Sequence, residues 1–431
     1  MSYLIVFRTS PDVDHMAPLA WKLLEQGESV HAVMSAGHHV DSDHRLSLLR
    51  GYADFHLLEL RPPGRRRRFG AITARARASV PYALWTLRRR DVRLVAVEWG
   101  YGLPPGYDRL RSLAGARAVL RSMLRSLLEG SDPQQPRTSF VVAARLLGIP
   151  TVCLPHGLSV KLDVASNEEL AALIAAGRLD WRDRNRFAAY VLNTEHHRRA
   201  HLDHAGGDPE VMQTWGSLRW APDWFELNRR LAPPFTWPQA DDAGIRVVFM
   251  VPKWVNRVDA VATCELVRRL QAVAGVSLAV TGHPRIQSDD VDPLRADPAI
   301  DWSRIHDLSG ANSVSVIREA DIVIDIGSSI GLEVVMQGKV LVNPTYLHQL
   351  TTLFDAVAGV AVTATSSDAV VAYLAAHAGG APHVVSDAAL EDLLRHAVYG
   401  SSAERFDVGN RYYQHLRALA AGPRRGTRRS A

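Results

Sequence analysis

The stretch that organises this sequence is ADIVIDIGSSIGLEVVMQGKVLVNP, which runs from Ala320 to Pro344. Its apolar run Ile322–Ile324 is typical of a strand that is buried on both faces of a parallel sheet. A helix is predicted over residues 331–337, Gly338 ends it, and residues 340–342 begin the next strand. The stretch therefore predicts a strand–turn–helix–turn–strand unit, which is the repeating element of a doubly wound α/β sheet.

The turn inside this unit joins Asp325 to the predicted helix and contains Gly327, Ser328 and Ser329. Backbone N–H groups at the start of a helix point outward and the helix dipole favours negative charge, so the turn suits phosphate binding. Glu333 lies one turn further along, where its carboxylate would reach the ribose of a bound nucleotide. Serine is also a favoured helix N-cap, and an ordinary capped turn explains the same residues without a ligand. Both interpretations stay open at this point.

The same alternation of strands and helices runs through both halves of the chain. A chain of 431 residues is too long for one hydrophobic core. We therefore predict an α/β protein with two doubly wound, Rossmann-like domains. The predicted division is residues 1–225 for the N-terminal domain, 226–244 for a proline-rich linker, 245–402 for the C-terminal domain, 403–421 for a helix that crosses back to the first domain, and 422–431 for a disordered basic tail.

The composition is that of a soluble globular protein, with 47% hydrophobic and 22% charged residues. No apolar run approaches the ~20 residues that span a bilayer. The N-terminal stretch MSYLIVFRTS lacks the basic region and the cleavage site of a signal peptide. Cys153 and Cys264 are isolated and build neither a disulfide framework nor a metal cluster. These features predict a cytoplasmic protein.

The basic residues are concentrated in two places. Residues 61–90 contain ten arginines and no acidic residue, and the tail 422–431 adds four arginines. Such blocks suit an anionic membrane, here the inner face of the plasma membrane, or an anionic polymer. A solvated basic face explains them equally well. Nucleic acid is not predicted as a partner, because no recognised nucleic-acid-binding motif accompanies the charge.

Polar residues follow several predicted strands, at the sheet edge where ligands of doubly wound folds bind. A histidine at that edge titrates near neutrality and suits proton transfer, although a lone histidine is more often structural. A carboxylate there can act as a base or pair with an arginine, and Asp14 is also placed to cap the first helix. The candidates are Asp14, His15, Glu98, His156, Gly157, Lys161, Lys253, Asn256, Arg257, His283 and Arg285.

Lysine is rare in this chain. The 50 basic residues include only four lysines, which are Lys22, Lys161, Lys253 and Lys339. Where a sequence uses arginine almost everywhere, a retained lysine indicates a position that needs a compact ammonium group in place of a planar fork. Three of the four lie in the motifs named in this section.

The order of these motifs resembles that of bacterial polymer transferases with the GT-B fold, the nearest being CDP-glycerol glycerophosphotransferases and capsule polysaccharide transferases. The resemblance covers residues 148–355 well and residues 40–145 poorly. It implies two Rossmann-like domains that face a central cleft. The motifs that carry it are His156-Gly157 with Lys161, Gly216-Ser217-Leu218-Arg219-Trp220, His283-Pro284-Arg285, and Gly327-Ser328-Ser329-Ile330 with Gly338-Lys339.

The resemblance also assigns roles to particular residues. It implies that His156 is the catalytic base, that His283 handles the transferred group or the donor phosphates, and that the two serines bind donor phosphate. Lys253 and Arg285 would offset the charge that builds on the leaving group. Two departures favour sugar transfer over glycerophosphate transfer. The glycerophosphotransferases usually have an aromatic residue where this chain has Gly327, and Gly331-Leu332-Glu333 is closer to enzymes that use nucleotide-activated sugars.

The sequence thus favours a metal-independent glycosyltransferase that moves a sugar from a nucleotide-activated donor to a growing cell-surface polysaccharide or glycolipid acceptor. The nucleotide sugar is a co-substrate, and neither a bound cofactor nor a metal is predicted. One alternative is a CDP-glycerol-type glycerophosphotransferase. Another is an enzyme like the UDP-N-acetylglucosamine 2-epimerases, which share the fold and a Ser/Gly turn followed by Glu but need no acceptor. A non-catalytic nucleotide-sugar or polysaccharide binding module is the third.

Overall fold

The computed structural model describes residues 1–7, 10–34, 43–60, 76–98, 135–155, 157–165, 168–238, 244–254, 256–282, 292–377, 385–402 and 404–422. The chain forms two compact units. The first comprises Met1–His156, Asp180–Trp224 and Arg405–Ala431, and the second comprises Gly157–Leu179 and Phe225–Glu404. Each unit is therefore assembled from segments that are distant in sequence.

The first unit contains a seven-stranded parallel sheet. Its strands are β1 (Ser2–Phe7), β2 (Ser29–Met34), β3 (Phe55–Glu59), β4 (Leu94–Glu98), β5 (Thr151–Leu154), β6 (Ala189–Leu192) and β7 (Met212–Thr214). Their order across the sheet is β3-β2-β1-β4-β5-β6-β7, and every neighbouring pair is parallel. The order reverses between β1 and β4, as it does in doubly wound folds.

The second unit contains a six-stranded parallel sheet. Its strands are β8 (Ile245–Met250), β9 (Val276–Thr281), β10 (Ile305–Asp307), β11 (Ile322–Ile324), β12 (Val340–Pro344) and β13 (Val362–Ala364). The order is β10-β9-β8-β11-β12-β13, with the reversal between β8 and β11. The predicted fold class, an α/β protein with two doubly wound Rossmann-like units, is confirmed.

The cores of the two sheets follow from their apolar strands. Every residue of β4 and β11 is buried, and β1 is buried from Tyr3 to Phe7. Continuous burial of this kind is expected where helices cover both faces of a parallel sheet. In the first unit the helical residue Phe140 packs in the same hydrophobic core as β1 and β4. In the second unit the helical residues Leu266 and Val267 pack in the same core as β8 and β11.

Fifteen α-helices occur in the described part of the chain, and several begin at side-chain caps. Asp43, Thr194, Asp259 and Asn312 each accept a backbone N–H from the first turn of the helix that follows. The helices are α1 (Ser10–Glu25), α2 (His44–Arg50), α3 (Val80–Arg89), α4 (Gln135–Leu146), α5 (Glu168–Ala175), α6 (Glu195–Ala205), α7 (Pro222–Leu231), α8 (Ala260–Leu270), α9 (Asp292–Ala296), α10 (Ser313–Glu319), α11 (Ile330–Met336), α12 (Leu353–Ala356), α13 (Ser367–His377), α14 (Asp387–Ala397) and α15 (Val408–Ala421).

Helix α7 extends into the stretch that the sequence indicates as a proline-rich linker. Pro222 stands at the first position of this helix, where its missing N–H costs nothing and its fixed φ angle suits the helix. Trp224 and Phe225 on the same helix are buried. Residues 226–231 of the predicted linker are therefore helical.

The final helix, α15, belongs to the first unit. The Tyr412 hydroxyl donates a hydrogen bond of 2.9 Å to the backbone carbonyl of Gly216. The ring of His415 stacks on Trp215 with a centroid distance of 4.8 Å. Lys22 of α1 forms an ion pair of 3.4 Å with Asp407, the N-cap of α15. A buried hydrogen bond, a ring stack and an ion pair thus attach the last helix to the first unit.

The arginine-rich segment is described from residue 76 onward, and its residues 61–75 lie outside the described part. Helix α3 exposes 53% of Trp85, and the Arg89 guanidinium lies 5.3 Å from the centre of that ring. Arg88 and Arg90 are exposed as well. Across the described residues, we find no helix with the length and apolar character needed to cross a membrane.

Candidate functional site

The carboxyl ends of β8 and β11 lie side by side at the reversal point of the second sheet, where ligands of doubly wound folds bind. Phe249 of β8 aligns with Ile324 of β11, so the loops that follow the two strands start from neighbouring positions. These loops carry Lys253 and Asp325. We call the residues gathered here the switch-point site: Lys161, Lys253, Asp325, Gly327, Ser328, Ser329 and His348.

The turn after β11 is built on the buried carboxylate of Asp325. The Ser328 backbone N–H donates to Asp325 Oδ2 at 2.8 Å, and the Ser328 hydroxyl donates to Asp325 Oδ1 at 2.7 Å. The same hydroxyl oxygen accepts the Ile330 N–H at 3.1 Å. Ser329 makes no side-chain cap hydrogen bond. The hydroxyl proton of Ser328 is thus committed to Asp325, while the Ser329 hydroxyl takes no part in capping the helix.

Two glycines, one in the turn after β11 and one in the first turn of α11, are required by geometry. Gly327 has a φ angle of +61°, and a side chain there would also place its Cβ 2.9 Å from Thr352 Cγ2. At Gly331 a Cβ would lie 2.7 Å from the ring of Phe354. Small residues at both positions let the loop after β12 approach the turn and helix α11 closely.

Lys161 reaches the site through an antiparallel contact within the second unit. Residues 160–162 run against residues 351–353, with Lys161 opposite Thr352 and flanking backbone hydrogen bonds of 2.8 and 2.9 Å. The Asp163 carboxylate accepts a further backbone N–H at 2.6 Å. The sequence groups Lys161 with His156 and Gly157, and the structure assigns the chain from Gly157 to the second unit.

Burial dominates the electrostatics of Lys161 and Asp325. Burial raises the pKa of Asp325 to about 7, although hydrogen bonds from Ser328 and the charge of Lys161 act in the opposite direction. Burial lowers the pKa of Lys161 to about 8, with a further lowering by the positive charge of Lys253 and an opposing effect of Asp325 and Asp163. Two lysine ammonium groups that repel one another in a desolvated setting favour an anionic ligand.

His348 lies in the loop after β12 and contacts the same turn. Its Nδ1 accepts the Leu350 N–H at 3.3 Å. Its Cε1–Nε2 edge faces Gly327, since a Cβ placed on that glycine would lie 3.8 and 3.9 Å from these two atoms. Burial lowers the pKa of His348, and the carboxylate of Asp355 opposes this shift.

A buried polar network fixes the loop that carries His348. The backbone N–H and the hydroxyl of Thr352 donate to Asp355 Oδ2 at 2.7 and 2.8 Å. Asn343, at the end of β12, donates to Asp355 Oδ1 at 2.7 Å. Thr352 and Asn343 are fully buried. These bonds tie the loop to the end of β12.

The other predicted donor-site residues of the second unit have partners of their own. Glu333 of α11 is buried and accepts a hydrogen bond of 2.9 Å from Gln337. Arg257 has a φ angle of +57° and forms an ion pair of 2.9 Å with Glu168 of α5. Asn256 closes a turn with a 2.9 Å backbone hydrogen bond to the Lys253 carbonyl. Contacts of Glu333 with ribose, and of Asn256 and Arg257 with a donor, stay predictions.

Three candidates lie in the first unit at the carboxyl edge of its sheet. Asp14 does not cap α1, because the helix begins at Ser10; Asp14 forms ion pairs with Arg45 and, at 3.4 Å, with Arg219. Glu98 ends β4 and is 1% exposed. His15 lines a small polar pocket with Leu154, Pro155, Asn193, Ser217, Leu218, Arg219 and Tyr412.

His156, His283 and Arg285 lie outside the described residues, so their predicted roles stay predictions. Within the described part, Lys161, Lys253 and the Gly327–Ser329 turn come together in one unit, whereas Asp14, His15 and Glu98 belong to the other. No group of three or more His, Cys, Asp or Glu side chains in the described ranges could hold a metal ion.

Sequence reasoning did not single out His348 or the buried network of Asn343, Thr352 and Asp355. Asp325 carried a weak signal, as an acidic residue directly after a buried strand and three residues before a serine. His348 carried none, because it lies in a loop whose path is fixed only by tertiary contacts.

Two parallel doubly wound sheets, each with polar residues at its reversal point, define the architecture called GT-B. No family model matches the chain, and no curated protein matches it in sequence. Solved structures match it over nearly its whole length. The UDP-GlcNAc 2-epimerase of Neisseria meningitidis bound to UDP-GlcNAc is 13% identical with a TM-score of 0.52, and covers 97% of this chain and 99% of its own.

Two further structures are similar in the same way. MnaA of S. aureus with UDP is 13% identical, has a TM-score of 0.54 and covers 96% of both chains. The UDP-GlcNAc 2-epimerase of Methanocaldococcus jannaschii in complex with UDP-GlcNAc and UDP is 11% identical, has a TM-score of 0.52, and covers 97% of this chain and all of its own, 100%. At these identities the similarity establishes the fold.

These comparisons correct the main functional prediction. A glycosyltransferase that extends a cell-surface polysaccharide or glycolipid is wrong as the leading interpretation, because UDP-GlcNAc 2-epimerases match this chain end to end. The epimerase alternative is the better supported of the two.

Proposed function

We propose that this chain is an enzyme that binds a UDP-linked sugar in its second unit and inverts the sugar at C2, in the manner of UDP-N-acetylglucosamine 2-epimerases. The observation that carries the proposal is the pair of lysines, Lys161 and Lys253, brought to the reversal point of the second sheet beside Asp325. The match in fold to proteins solved with UDP or UDP-GlcNAc supports the choice of ligand.

The charges of the site suit a diphosphate. Lys161 and Lys253 repel each other, and a diphosphate oxygen between them would relieve that repulsion. The Ser329 hydroxyl, which takes no part in capping α11, adds a hydrogen-bond donor. Ser328 contributes indirectly, because its hydroxyl holds Asp325 in place.

Inversion at C2 uses the nucleotide sugar as the only substrate. The bond from C2 to hydrogen breaks together with the bond from C1 to the diphosphate oxygen, which leaves a C1=C2 double bond in the sugar and free UDP. A proton then returns to the opposite face of C2 as UDP re-forms its bond to C1, so that the composition of the nucleotide sugar does not change. Neither an acceptor nor an oxidant is consumed. During the reaction the lysines would stabilise negative charge on the diphosphate, which is the usual role of fixed cations in such sites.

The test is incubation of the protein with UDP-GlcNAc alone in D₂O, followed by NMR. We expect the C2 epimer to accumulate and deuterium to enter at C2. Lys253→Met should lower kcat/KM by about one to two orders of magnitude, which corresponds to losing a charged hydrogen bond. Lys339→Met is the matched control, since Lys339 lies at the amino end of β12 and the site lies at the carboxyl ends of the strands of the same sheet. Absence of both epimer and deuterium would refute the proposal.

We also propose that helix α3 contacts an anionic lipid surface. Trp85 is 53% exposed, the Arg89 guanidinium lies 5.3 Å from the centre of its ring, and Arg88 and Arg90 close to it in sequence are exposed as well. Tryptophan ring systems sit at the boundary between lipid tails and headgroups, while arginines attract anionic headgroups. This combination of an exposed aromatic ring with basic residues therefore favours a lipid surface as the partner. Basic residues without an exposed aromatic ring would suit any anionic partner.

A further inference from the structure

His348 carries a hydrogen-bond donor that no described residue of the protein uses. Its Nε2 is buried and has no hydrogen-bond partner among the described residues. A buried donor without an acceptor costs free energy, and such groups are rare in native proteins. Its presence at the edge of a ligand site indicates that the acceptor arrives with a ligand.

The position of the proton on His348 follows from its other nitrogen. Nδ1 accepts the Leu350 N–H at 3.3 Å, so in the neutral ring the proton lies on Nε2. Asp355 and Asp163 favour the charged ring and Lys161 disfavours it, and burial, the largest effect, lowers the pKa of His348. The ring therefore presents one N–H donor near neutral pH.

The donor is also held in place before any ligand binds. The backbone of His348 pairs with Val258, and the neighbouring Leu347 carbonyl accepts the Asp259 N–H at 2.9 Å. On the other side, the Thr352–Asp355 bonds fix the rest of the loop. The ring edge that carries Nε2 faces Gly327, in the turn that lies beside Lys161 and Asp325.

We propose that His348 Nε2–H donates a hydrogen bond to a phosphoryl oxygen of the bound nucleotide. The inference rests on the proposed function, because it takes a nucleoside diphosphate as the ligand. His348 is a binding residue in this role and donates from Nε2. It complements Lys161 and Lys253, since a neutral N–H donor orients the phosphoryl group without adding positive charge to the site.

Two substitutions separate the two ring nitrogens. His348→Asn keeps an acceptor near the position of Nδ1 for the Leu350 N–H, but it has no group at the position of Nε2. His348→Gln does the reverse, because its longer side chain brings an amide N–H to the position of Nε2. The measurements are affinity for UDP and for uridine by calorimetry, and melting temperature.

We expect His348→Asn to bind UDP about tenfold to a hundredfold more weakly, with unchanged melting temperature and unchanged affinity for uridine. His348→Gln should bind UDP within about threefold of the wild type, with a lower melting temperature. The opposite pattern would assign His348 to the local turn alone and overturn the inference.

The remaining outcomes also decide the matter. An equal loss of affinity for uridine in His348→Asn would place the contact on the nucleoside and overturn the phosphate assignment. UDP binding that is normal in the wild type and unchanged in both variants would refute the role of His348 and leave the proposed function standing. A wild-type protein that does not bind UDP would refute both.

Discussion

Lys161 and Asp325 are oppositely charged neighbours, yet burial shifts the pKa of each toward its neutral form. The pKa of Asp325 rises to about 7 and that of Lys161 falls to about 8. Their mutual attraction acts against both shifts and is outweighed by the loss of hydration. Ionisable groups shifted in this way are common at functional sites, because a ligand can supply the interaction that the protein lacks.

The affinity for UDP should therefore depend on pH in the neutral range. Asp325 gains its negative charge as the pH rises through about 7, and Lys161 loses its positive charge as the pH rises through about 8. Both changes disfavour a diphosphate, so affinity should fall above pH 7, by up to about tenfold per pH unit above pH 8. The phosphate groups titrate near ~6 and do not cause a fall there.

Lys161→Arg gives the control for this prediction. An arginine keeps its charge across this range, so the fall above pH 8 should disappear while the fall near pH 7 remains. Calorimetric titration of UDP at several pH values between 6 and 9.5 would measure both steps. Equal pH profiles for the wild type and Lys161→Arg would show that Lys161 does not contact the diphosphate.

At the scale of the element, the unit β11–α11–β12 was the most predictable part of the molecule. The strand prediction for Ile322–Ile324 agrees with the structure, the helix is displaced by one residue, and Gly338 ends it with a φ angle of +70°. What the sequence could not distinguish was the roles of the two serines. The structure divides them, because only the Ser328 side chain bonds within the turn.

Alanine substitutions at the two serines should affect different properties, stability at Ser328 and UDP affinity at Ser329. Ser328→Ala removes two hydrogen bonds around buried Asp325 and should lower the free energy of unfolding by ~1–3 kcal/mol. Ser329→Ala removes no capping bond, so it should leave the melting temperature unchanged and weaken UDP binding by about one to two orders of magnitude. Thermal unfolding and UDP titration of the same two proteins measure both effects. Loss of stability in Ser329→Ala with normal UDP binding would place the diphosphate elsewhere.

The strands at the sheet edges have sequences that do not by themselves indicate a strand. They are β3, β7, β10 and β13, the first and last strands in the two sheet orders. These strands have three to five residues and are only partly buried, so they lack the continuous apolar run of an interior strand. Interior strands can be recognised from local sequence, whereas an edge strand is defined by the neighbour it pairs with.

At the scale of the whole molecule, the path of the chain limits what sequence can predict. The first unit takes its last helix from the C-terminus, and the second takes residues 157–179 from between two strands of the first sheet. The two doubly wound sheets were predictable from alternating strands and helices. The placement of Lys161 beside Asp325 was not, because it depends on pairing between residues that are almost two hundred positions apart.

The chain as a whole carries a net charge of +5, and ten of its arginines lie in residues 61–90. Trp85, Arg88, Arg89 and Arg90 lie in the described part of this region, residues 76–90. We expect the protein to partition at low salt onto vesicles that contain phosphatidylglycerol, to ignore purely zwitterionic vesicles, and to be released by high salt. Release is expected because the Debye length falls to about 3 Å at 1 M salt.

Variants of helix α3 test whether these residues make the contact. Each basic residue near an anionic surface contributes ~1 kcal/mol, so replacing all three arginines by Gln should weaken partitioning by about a hundredfold. Trp85→Ser should weaken it as well but leave its salt dependence unchanged, since the ring contributes apolar contact and no charge. Val261→Ser is the matched control, because Val261 is 77% exposed on α8 of the other unit. Vesicle co-sedimentation that is the same for all four proteins would exclude α3 as the contact and leave the basic face to solvent or to a soluble anionic polymer.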